Sequence, residues 1–383
     1  MNNILWKVIV TGSKGFIGRQ LMEALNRRPD VEVQGFDIDS SLEELGEALR
    51  ETAVVFHLAG VNRPERDEEY EEGNHLFTKK LCTILEEVGR TPLVVFSSSV
   101  QVELNNPYGK SKLRAEDALR DWSKRTSARV AMFRLKNVFG KWCRPNYNSV
   151  VATFCHNIAK GLSIKVSDPA KKIELVYIDD VISVFLDCLE RPPLGCEYKD
   201  VSPSFVITLE DLARQIEMFR DSRLSLLLPD FSDSFLKKLY ATYISYLEEN
   251  DFAYQLTIRK DARGELAEFL KQSHFGQIFI SRTKPGITRG NHFHHTKVEK
   301  FLVVEGDAVI RFRKTDGTDI IEYQVIGKDF KVVDIPPGYT HSIENVGRGE
   351  LITLFWAGEV FDPKDSDTYP LDVVKSDNKE KNS

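Results

Sequence analysis

The first forty residues combine a strand, a glycine turn and a helix in an order that few folds accommodate. "WKVIVT" is an apolar run of strand length, and "FIGRQLMEALN" repeats apolar residues with helical spacing. Between them, Gly12, Gly15 and Gly18 form a GxxGxxG turn that lets the backbone approach a pyrophosphate at the helix N-terminus. A plain structural turn would also select glycine. However, Asp37 follows the second strand, "VEVQGF", about twenty residues later, where a carboxylate can hold a ribose hydroxyl. The segment therefore predicts a dinucleotide-binding βαβ unit.

Further apolar segments continue this alternation of strands and helices. "TAVVFHLAG" and "PLVVFSSSV" are typical of a third and a fourth buried strand. We therefore predict an α/β domain over residues 1–245, built on a doubly wound, Rossmann-like parallel sheet. The residues expected around the dinucleotide are Gly12, Gly15, Phe16, Ile17, Gly18, Asp37, Leu58 and Ala59.

A possible proton-transfer pair lies in "NPYGKSKLRAEDAL". Tyr108 and Lys112 are four positions apart, so they share one face of a helix. An ammonium beside a phenol stabilises the phenolate, and we expect the pKa of Tyr108 to fall towards neutrality. Its hydroxyl could then exchange a proton with a substrate oxygen. The alternative is an exposed helix start with ordinary lysines.

These segments resemble the extended short-chain dehydrogenase/reductases. The resemblance rests on "TGSKGFIG", "FHLAG", "VVFSSS", "YGKSK", "FRLKNVFG" and "LVYIDDV", which occur in the order typical of that family. It implies that Tyr108 is the general acid/base and that Lys112 supports it and binds the cofactor ribose. It also implies that Ser97, Ser98 or Ser99 polarises the substrate carbonyl, and we select Ser99. The serines precede Tyr108 by only nine to eleven residues, a shorter interval than is usual in the family, which suggests an open site.

The segment "VFGKWCRPNYNSV" concentrates cationic and planar side chains in one loop ahead of a helix. Cations suit a diphosphate and planar groups suit a base, so we consider this loop for nucleotide-sugar binding; ordinary packing is the alternative. The candidate residues are Lys141, Trp142, Arg144, Asn146 and Tyr147.

The second half of the chain changes from helices to short strands. Two helix-period segments, "TLEDLARQIEMFRDSR" and "DSFLKKLYATYISYLEEN", precede this change. After "KDARGELAEFLK" come "GQIFISRTK", "EKFLVVEGDAVIRFRK", "DIIEYQVIG", "FKVVDIP" and "ELITLFWAG", separated by Gly, Pro and Asp. This spacing is typical of an antiparallel sandwich or barrel, and we assign residues 246–383 to a second, all-β domain.

Three of the eight histidines fall within four positions of "RGNHFHHTKVEK". On a strand, His292 and His294 point to the same face, and Glu299 follows after a turn. "PPGYTHSIEN" supplies His341 from another strand, so three imidazoles and a carboxylate can converge on a divalent metal such as zinc. His295 has the opposite parity and is not a predicted ligand. A surface histidine cluster is the alternative.

The two histidine segments resemble the cupin motifs. "GITRGNHFHHTKVEKFLVVEG" follows the pattern GX5HXHX4EX6G from Gly286 to Gly306, and "PPGYTHSIEN" follows the core of the second motif. The leading glycine of that second motif is displaced, since Gly327 lies further upstream than the pattern asks. The resemblance implies a metal-binding cupin (jelly-roll) domain.

Composition excludes several classes of protein. The formal charge is −6 and the sequence has no cluster of basic residues, so it lacks the positive surface that nucleic acid requires. No apolar run in it is long enough to cross a membrane. Five cysteines without a CxxC pair favour free thiols in a reducing compartment. We therefore expect a cytoplasmic protein that neither binds nucleic acid nor inserts into membranes.

Over nearly all of residues 1–370, the chain resembles a family of bifunctional capsular polysaccharide synthesis enzymes. The segments "GVNRPE", "FGKWCRPNYNSV" and "KPGITRGNHFHHTK" carry the resemblance, together with the domain order. It implies an enzyme of UDP-N-acetyl-L-fucosamine biosynthesis whose cupin domain epimerises carbon 3 of a UDP-4-keto-6-deoxy-N-acetylamino sugar. The first domain would then reduce the carbon-4 ketone with NADPH to UDP-2-acetamido-2,6-dideoxy-L-talose. A zinc ion and a homodimer are also implied.

Two points stay open at this stage. Asp37 would repel a 2′-phosphate and favours NADH, whereas the family implies NADPH, which we adopt. The alternative function is an NAD-dependent nucleotide-sugar epimerase or dehydratase whose cupin only binds sugar. A non-catalytic, metal-dependent sugar sensor is a third hypothesis.

Overall fold

The computed structural model describes residues 5–374, which divide into two compact units. The first unit runs to Glu217 and also contains Lys238–Glu248, whereas Met218–Lys237 and the chain from Glu249 onward form the second. The boundary expected between residues 245 and 246 stays a prediction. Within the described residues, no helix combines the length and the apolar character needed to cross a membrane.

The first unit contains the parallel strands and most of the helices. Its strands are β1 (Trp6–Thr11), β2 (Val31–Phe36), β3 (Val54–His57), β4 (Leu93–Ser99), β5 (Val130–Leu135), β6 (Asn137–Phe139), β7 (Lys172–Tyr177), β8 (Cys196–Tyr198) and β9 (Phe205–Thr208). The helices of the chain are α1 (Phe16–Asn26), α2 (Leu42–Leu49), α3 (Glu68–Tyr70), α4 (Phe77–Glu87), α5 (Pro107–Thr126), α6 (Val150–Ala159), α7 (Ile178–Glu190), α8 (Leu209–Ser225) and α9 (Ser234–Ile244). A π-helical turn, Glu71–Leu76, joins α3 to α4, and a 3₁₀ turn, Val100–Glu103, follows β4.

Six strands of the first unit form one parallel sheet. Their order is β2-β1-β3-β4-β5-β8, and a smaller sheet has the order β6-β7-β9. The chain moves outward from β1 to β2 and then crosses to β3 on the other side of β1. Such a reversal opens a crevice at the carboxyl ends of the strands, where this class of fold binds ligands. The predicted doubly wound parallel sheet is confirmed.

Both faces of this sheet are buried, and successive residues of β1 serve opposite faces. Val8 and Val10 pack in one apolar cluster with Phe185 of α7, whereas Ile9 packs in the other with Trp122 of α5. Because helices cover both faces, the strands are nearly continuous apolar runs. Each such buried side chain contributes about 1.5–3 kcal/mol through burial.

The residue at which helix α5 begins determines where the predicted proton-transfer residues lie. The side chain of Asn106 caps the helix by accepting a hydrogen bond from the Gly109 amide at 2.7 Å, and Pro107 occupies the first turn. Tyr108 therefore lies in the first helical turn and Lys112 one turn later. The short interval after β4 is filled by the 3₁₀ turn.

The second unit is built from antiparallel strands. They are β10 (Ile258–Asp261), β11 (Gly264–Gln272), β12 (Gly276–Thr283), β13 (Thr288–Phe293), β14 (Glu299–Glu305), β15 (Asp307–Lys314), β16 (Ile320–Ile326), β17 (Val332–Ile335), β18 (Tyr339–Asn345), β19 (Leu351–Ala357) and β20 (Tyr369–Pro370). Two 3₁₀ turns, Glu249–Asp251 and Gly327–Asp329, complete its elements. One sheet has the order β10-β11-β12-β19-β14-β17 and the other β16-β15-β18-β13-β20. The all-β prediction is confirmed, although strand structure begins at β10, earlier than the sequence indicated.

The core of the second unit contains side chains from both sheets. The rings of Phe301 and Phe355 meet edge to face at 4.6 Å between centroids, and Phe279 stacks on Phe355 at 4.8 Å. Ile310 and Ile343, from the second sheet, belong to the same buried cluster. The Phe301 ring also lies 5.8 Å from that of His341, so this apolar core adjoins the predicted metal ligands.

All five cysteines lie in the described part of the chain, and all are free thiols. Cys82, Cys155 and Cys188 are buried, whereas Cys143 and Cys196 are partly exposed. Burial raises the pKa of each of these thiols, so they are protonated near neutral pH. Cationic neighbours such as Arg125 near Cys82 do not outweigh this effect of burial, so the thiols are not activated as nucleophiles.

We expect Leu119→Ala to destabilise the first unit by about 2–5 kcal/mol, because it leaves a cavity beneath the sheet. Leu119 is fully buried on α5. Leu113→Ala, a partly exposed position on the same helix, is the matched control and should cost about 0.5 kcal/mol or less. Denaturant unfolding followed by circular dichroism measures both, and equal losses would contradict this packing.

Candidate functional site

The glycine turn after β1 depends on two close backbone contacts. Gly12 has φ +73°, and a Cβ there would lie 2.6 Å from the amide nitrogen of Ala59. A Cβ at Gly18 would lie 2.0 Å from the carbonyl oxygen of Gly12. Any side chain at these two positions would push α1 and the segment after β3 away from the turn, because backbone atoms cannot yield.

The N-terminus of α1 has the properties of an anion site. Gly15 is the N-cap and offers no side chain to the first amides, and the first turn of α1 carries no acidic residue. These amides and the helix dipole therefore suit a phosphate. Leu58 and Ala59 lie beside the turn. The Leu58 amide donates a hydrogen bond to the Thr11 carbonyl at 3.1 Å. Phe16 and Ile17 pack against the sheet core and hold the helix in place. The predicted dinucleotide residues thus fit such a cofactor.

The Asp37 carboxylate lies beside the same turn. It accepts hydrogen bonds from the amides of Lys14 at 2.8 Å and Ile38 at 2.9 Å. The Lys14 ammonium forms an ion pair with Asp39. An acidic side chain therefore lies at the expected ribose position, and the nearby lysine is paired with Asp39.

Tyr108 and Ser99 lie together at the end of β4. Burial raises the pKa of the Tyr108 phenol, while its interaction with the Ser99 side chain lowers it and the neighbouring Tyr70 raises it further. The Tyr70 and Tyr108 rings are 5.7 Å apart. The expected fall of the Tyr108 pKa towards neutrality is therefore wrong for this arrangement, because burial outweighs the stabilising contacts.

Lys112 is buried one helical turn after Tyr108. Its ammonium donates to the carbonyl of Ser97 at 2.8 Å and lies 4.8 Å from the centre of the Phe96 ring. Burial lowers the pKa of Lys112 to about 8, although the nearby Glu116 opposes that fall. A lysine with this pKa can change its protonation state close to physiological pH.

Glu116, one turn beyond Lys112, is a fully buried carboxylate that the sequence did not single out. It accepts hydrogen bonds from Arg134 at 2.8 and 3.1 Å, from the Tyr198 hydroxyl at 2.7 Å and from the hydroxyl of Ser98. Ser98 is therefore committed to this network, and the Ser97 carbonyl holds Lys112. Of the three serines, Ser99 is the one whose side chain contacts Tyr108.

Four of the five residues of the candidate substrate loop take part in two separate cation–ring contacts. Trp142 is 43% exposed with φ +68°, and the guanidinium of Arg19 and the ammonium of Lys141 lie 5.3 and 5.5 Å from its ring centre. Arg144 lies 5.1 Å from the ring of Tyr147. Arg19 directly follows Gly18, so Trp142 lies near the glycine turn.

The remaining features of this loop are anchoring contacts. The Lys141 ammonium is 3.1 Å from Asp179, and the Lys141 carbonyl accepts from Gln20 at 2.6 Å. Asn146 has φ +54° and its amide donates to Thr153 at 3.0 Å. Two non-glycine residues with positive φ in one loop indicate strain, which is often found at binding sites.

In the second unit, the four predicted metal ligands lie together. Their ligand atoms are all within 4.8 Å of one another. His292 on β13 pairs across the sheet with His341 on β18, with ring centroids 4.5 Å apart. His294 directly follows β13, and Glu299 begins β14 in the other sheet. The cluster therefore joins the two sheets at one end.

The unpaired nitrogen atoms of this cluster fit a metal ion. Among the described residues, no hydrogen-bond partner is available to Nε2 of His294 or to either ring nitrogen of His341, although all are buried. The Glu299 carboxylate is 3.5 and 3.6 Å from Nε2 of these histidines, too far for a hydrogen bond. Buried polar atoms without partners are costly, and a divalent cation would coordinate all of them at once.

The charges of the cluster also suit a cation. Burial lowers the pKa of His292 to about 4, and the neighbouring His341 adds to this effect. Burial alone would raise the pKa of Glu299, but His294 and His341 reverse this and leave it below its usual value. At neutral pH the site therefore offers a neutral imidazole at His292 and a carboxylate. Nitrogen and carboxylate donors in this number are typical of zinc and similar metals.

Two residues near the motif point away from the cluster. The ring of His295 lies 5.2 Å from Phe293 and 4.8 Å from Tyr369 at the surface, as its strand parity predicted. Lys300 forms an ion pair with Asp334. Neither is therefore available to a substrate bound beside the metal ligands.

Lys297 is a residue of this site that the sequence analysis missed. Its side chain is 8% exposed, and its ammonium donates to the Thr368 hydroxyl at 2.8 Å. Within residues 5–374, no carboxylate oxygen lies within 4.0 Å of that ammonium. Lys297, Thr368 and Glu299 line a cavity of about 190 Å³, together with Arg259 and Phe279. The lining also contains the carboxylates of Glu268 and Glu359, so the Lys297 ammonium is one buried donor within a cavity of mixed charge.

Asp367 is the second missed residue. Its carboxylate accepts hydrogen bonds from the amides of His295, Thr296 and Lys297 at 2.9, 2.7 and 2.8 Å. Its backbone carbonyl accepts from Nδ1 of His294 at 2.5 Å. Burial alone would raise the pKa of Asp367, but these amides hold it well below its usual value.

Comparisons with known proteins agree with this two-part arrangement. Residues 8–201 match the NAD dependent epimerase/dehydratase family, and residues 259–369 match the polysaccharide biosynthesis C-terminal domain. A UDP-2-acetamido-2,6-beta-L-arabino-hexul-4-ose reductase from Pseudomonas aeruginosa is 42% identical over 367 residues, which cover 96% of this chain and 99% of the relative.

Solved structures are similar to all or to part of this chain. Capsular polysaccharide assembling protein CapF from Staphylococcus aureus is 43% identical with a TM-score of 0.88, and the match covers 96% of this chain and 100% of that one. A UDP-glucuronic acid 4-epimerase from Bacillus cereus in complex with NAD is 19% identical with a TM-score of 0.51, over 55% of this chain and 83% of that one. The second likeness shows the fold alone. The chain belongs to the NAD dependent epimerase/dehydratase family, as a CapF-type fusion of a short-chain dehydrogenase/reductase domain with a polysaccharide biosynthesis C-terminal domain.

Proposed function

We propose that this chain acts on one UDP-linked 4-keto-6-deoxy-N-acetylamino sugar in two ways: it epimerises carbon 3 and reduces the carbon-4 ketone. The product would be UDP-2-acetamido-2,6-dideoxy-L-talose, a step towards UDP-N-acetyl-L-fucosamine. One observation carries the proposal. The same chain has a largely buried Tyr-Lys-Ser set in the domain with the dinucleotide-type glycine turn, and a separate, largely buried set of four metal-type ligands. The name of the 42% identical relative, a hexul-4-ose reductase, supports the choice of substrate.

Both chemistries follow from one carbonyl group. A ketone at carbon 4 is the acceptor for a hydride, and it also acidifies the hydrogen on the adjacent carbon 3. A site that stabilises the resulting enolate permits inversion at carbon 3. Two sites in one chain could therefore use the same functional group in succession.

In the first unit, Tyr108 would give a proton to the carbon-4 oxygen during reduction. The bound nicotinamide cofactor supplies the hydride. Ser99, which contacts Tyr108, would donate a hydrogen bond to the same oxygen. Lys112, one helical turn further along α5, has a pKa of about 8, and its ammonium would favour the phenolate that remains.

We propose NADPH as the cofactor, with NADH as the alternative. The amides at the start of α1 would hold the diphosphate. Asp37 suits an unphosphorylated ribose, but its carboxylate already accepts two backbone amides. Lys14 would exchange its ion pair with Asp39 for one with a 2′-phosphate.

In the second unit, His292, His294, Glu299 and His341 would hold a zinc ion. When bound, the metal supplies Lewis-acid stabilisation of negative charge. The cavity next to it would take the keto-sugar, and the Lys297 ammonium would face the carbon-4 oxygen as it becomes an enolate. A buried, preorganised cation stabilises such a charge far more than an exposed one does.

Several further assignments belong to the same proposal. The loop with Lys141, Trp142, Arg144, Asn146 and Tyr147 would contact the nucleotide-sugar through its cations and rings. We also propose a cytoplasmic homodimer with a domain boundary near residues 245 and 246. These assignments follow from the family resemblance and from the free thiols of the chain.

Replacing Tyr108 with Phe should reduce carbon-4 reduction by roughly 10²–10⁴-fold, because the proton donor is lost. NADPH consumption, measured by its absorbance, reports this step. Deuterium entry at carbon 3 in heavy water, followed by NMR, should be unchanged. Tyr70→Phe removes a hydroxyl from the neighbouring ring and is the matched control, with near-normal reduction expected. Normal reduction by the Tyr108 variant would reject the assigned role.

Replacing His341 with Ala should remove the metal and abolish deuterium entry at carbon 3. Metal analysis of the purified protein and NMR of the sugar measure the two losses. Oxidation of UDP-2-acetamido-2,6-dideoxy-L-talose with NADP⁺, the reverse of the reduction, should persist. His295→Ala is the control and should keep its metal. Purified wild type without any metal, unaffected by chelators, would contradict this site.

Replacing Lys297 with Met should leave the metal bound and slow deuterium entry at carbon 3 by roughly 10²–10³-fold, because the enolate loses a buried donor. The control is Lys300→Met, three residues along the chain from Lys297, which removes an exposed side chain paired with Asp334. This variant should incorporate deuterium at carbon 3 at the wild-type rate. A Lys297 variant that exchanges as fast as wild type would show that this ammonium does not face the reacting oxygen.

A further inference from the structure

The segment Ser366–Val373 crosses the loop that joins two of the metal-type ligands. That loop, residues 295–298, runs from His294 to Glu299. We propose that Asp367 is a positioning residue of the metal site: through the loop and through His294, it fixes the geometry of the ligands without touching the ion. The inference rests on the proposed metal site, but not on the reaction assigned to it.

The Asp367 carboxylate holds most of this loop by itself. Three consecutive amides, those of His295, Thr296 and Lys297, point to its two oxygen atoms, and the Thr296 hydroxyl adds a fourth hydrogen bond at 3.0 Å. A carboxylate is required here, since all four groups are donors and only an ionised acid offers enough acceptor positions. The spacing between the ligands His294 and Glu299 therefore depends on one side chain.

The backbone carbonyl of Asp367 selects the tautomer of His294. A carbonyl oxygen can only accept, so Nδ1 of His294, at 2.5 Å, must carry the proton. The lone pair is then on Nε2, the atom that lies 3.5 Å from the Glu299 carboxylate inside the cluster. Outer partners of this kind orient ligating histidines and typically change metal affinity by about 10–100-fold.

The segment that carries Asp367 has further anchors on the C-terminal side of this residue. Pro370 pairs with His292 in the β13–β20 ladder. The buried guanidinium of Arg313 donates to the carbonyls of Asp372 at 2.6 Å and Val373 at 2.9 Å. Removing the Asp367 side chain should therefore leave the segment in place and act locally on the loop.

Zinc affinity measured by competition with a chelator tests this role. Asp367→Ala should bind zinc about 10–100-fold more weakly than wild type, and Asp367→Asn should fall between them because one oxygen acceptor remains. Asp365→Asn, two residues away and exposed, is the matched control and should bind as wild type does. The visible absorption of the cobalt-substituted protein should change in band position for the Asp367 variants alone, since it reports ligand geometry.

Unfolding of the metal-free proteins separates positioning from a general structural role. We expect the metal-free Asp367→Ala protein to unfold close to metal-free wild type. Affinity within twofold of wild type, an unaltered cobalt spectrum, or an affinity loss matched by early unfolding of the metal-free variant would each overturn the proposal. A wild-type protein that binds zinc but exchanges no deuterium at carbon 3 would instead reject the proposed epimerisation, and the affinity comparison would still decide the role of Asp367.

Discussion

The cost of burying charged and polar groups is the constraint on which both sites of this chain depend. In the first unit, the Lys112 ammonium is accommodated by a backbone carbonyl and lies one helical turn from the buried Glu116. In the second unit, imidazole nitrogens are enclosed without hydrogen-bond partners among the described residues. Folding stability is small compared with these costs, so such groups persist where something else compensates them. In the first unit the protein supplies that compensation; in the second, the donor set points to a cation.

Backbone geometry brings these groups together. Parallel strands bring the glycine turn, the segment after β3 and the serines at the end of β4 to the same edge of one sheet, because their carboxyl ends coincide. Helix α5 then places Tyr108 and Lys112 on one face. In the second unit, the pairing of β13 with β18 brings His292 and His341 together, and β14 adds Glu299 from the opposite sheet. In each case a few residues that are local in sequence meet through long-range strand pairing.

The parts of the two sites that could be predicted from the sequence are those set by the spacing of neighbouring residues along a helix, strand or turn. The glycine turn, the Tyr108–Lys112 spacing and the ligands His292 and His294 could all be predicted, because helix and strand periodicities fix their relative directions. The pKa of Tyr108 was predicted in the wrong direction, since its burial is a tertiary property. Strand β11 was not anticipated, because "GELAEFLKQ" is rich in residues that also favour helices, and its pairing with β12 determines its structure.

Lys297 and Asp367 could not be predicted for a different reason. Each has its role through a partner about seventy positions away, and no periodicity relates the two segments. Buried acids and bases of this kind can be recognised only when the contacts are known.

The distance in sequence between the loop and Asp367 also has a consequence for the newly synthesised protein. The loop between His294 and Glu299 is held by Asp367, which is synthesised about seventy residues later. A growing chain that already contains all four ligands therefore still lacks the carboxylate that positions this loop. At the proposed metal site, a chain that ends before this segment would therefore bind the ion more weakly than the chain that extends to Val373.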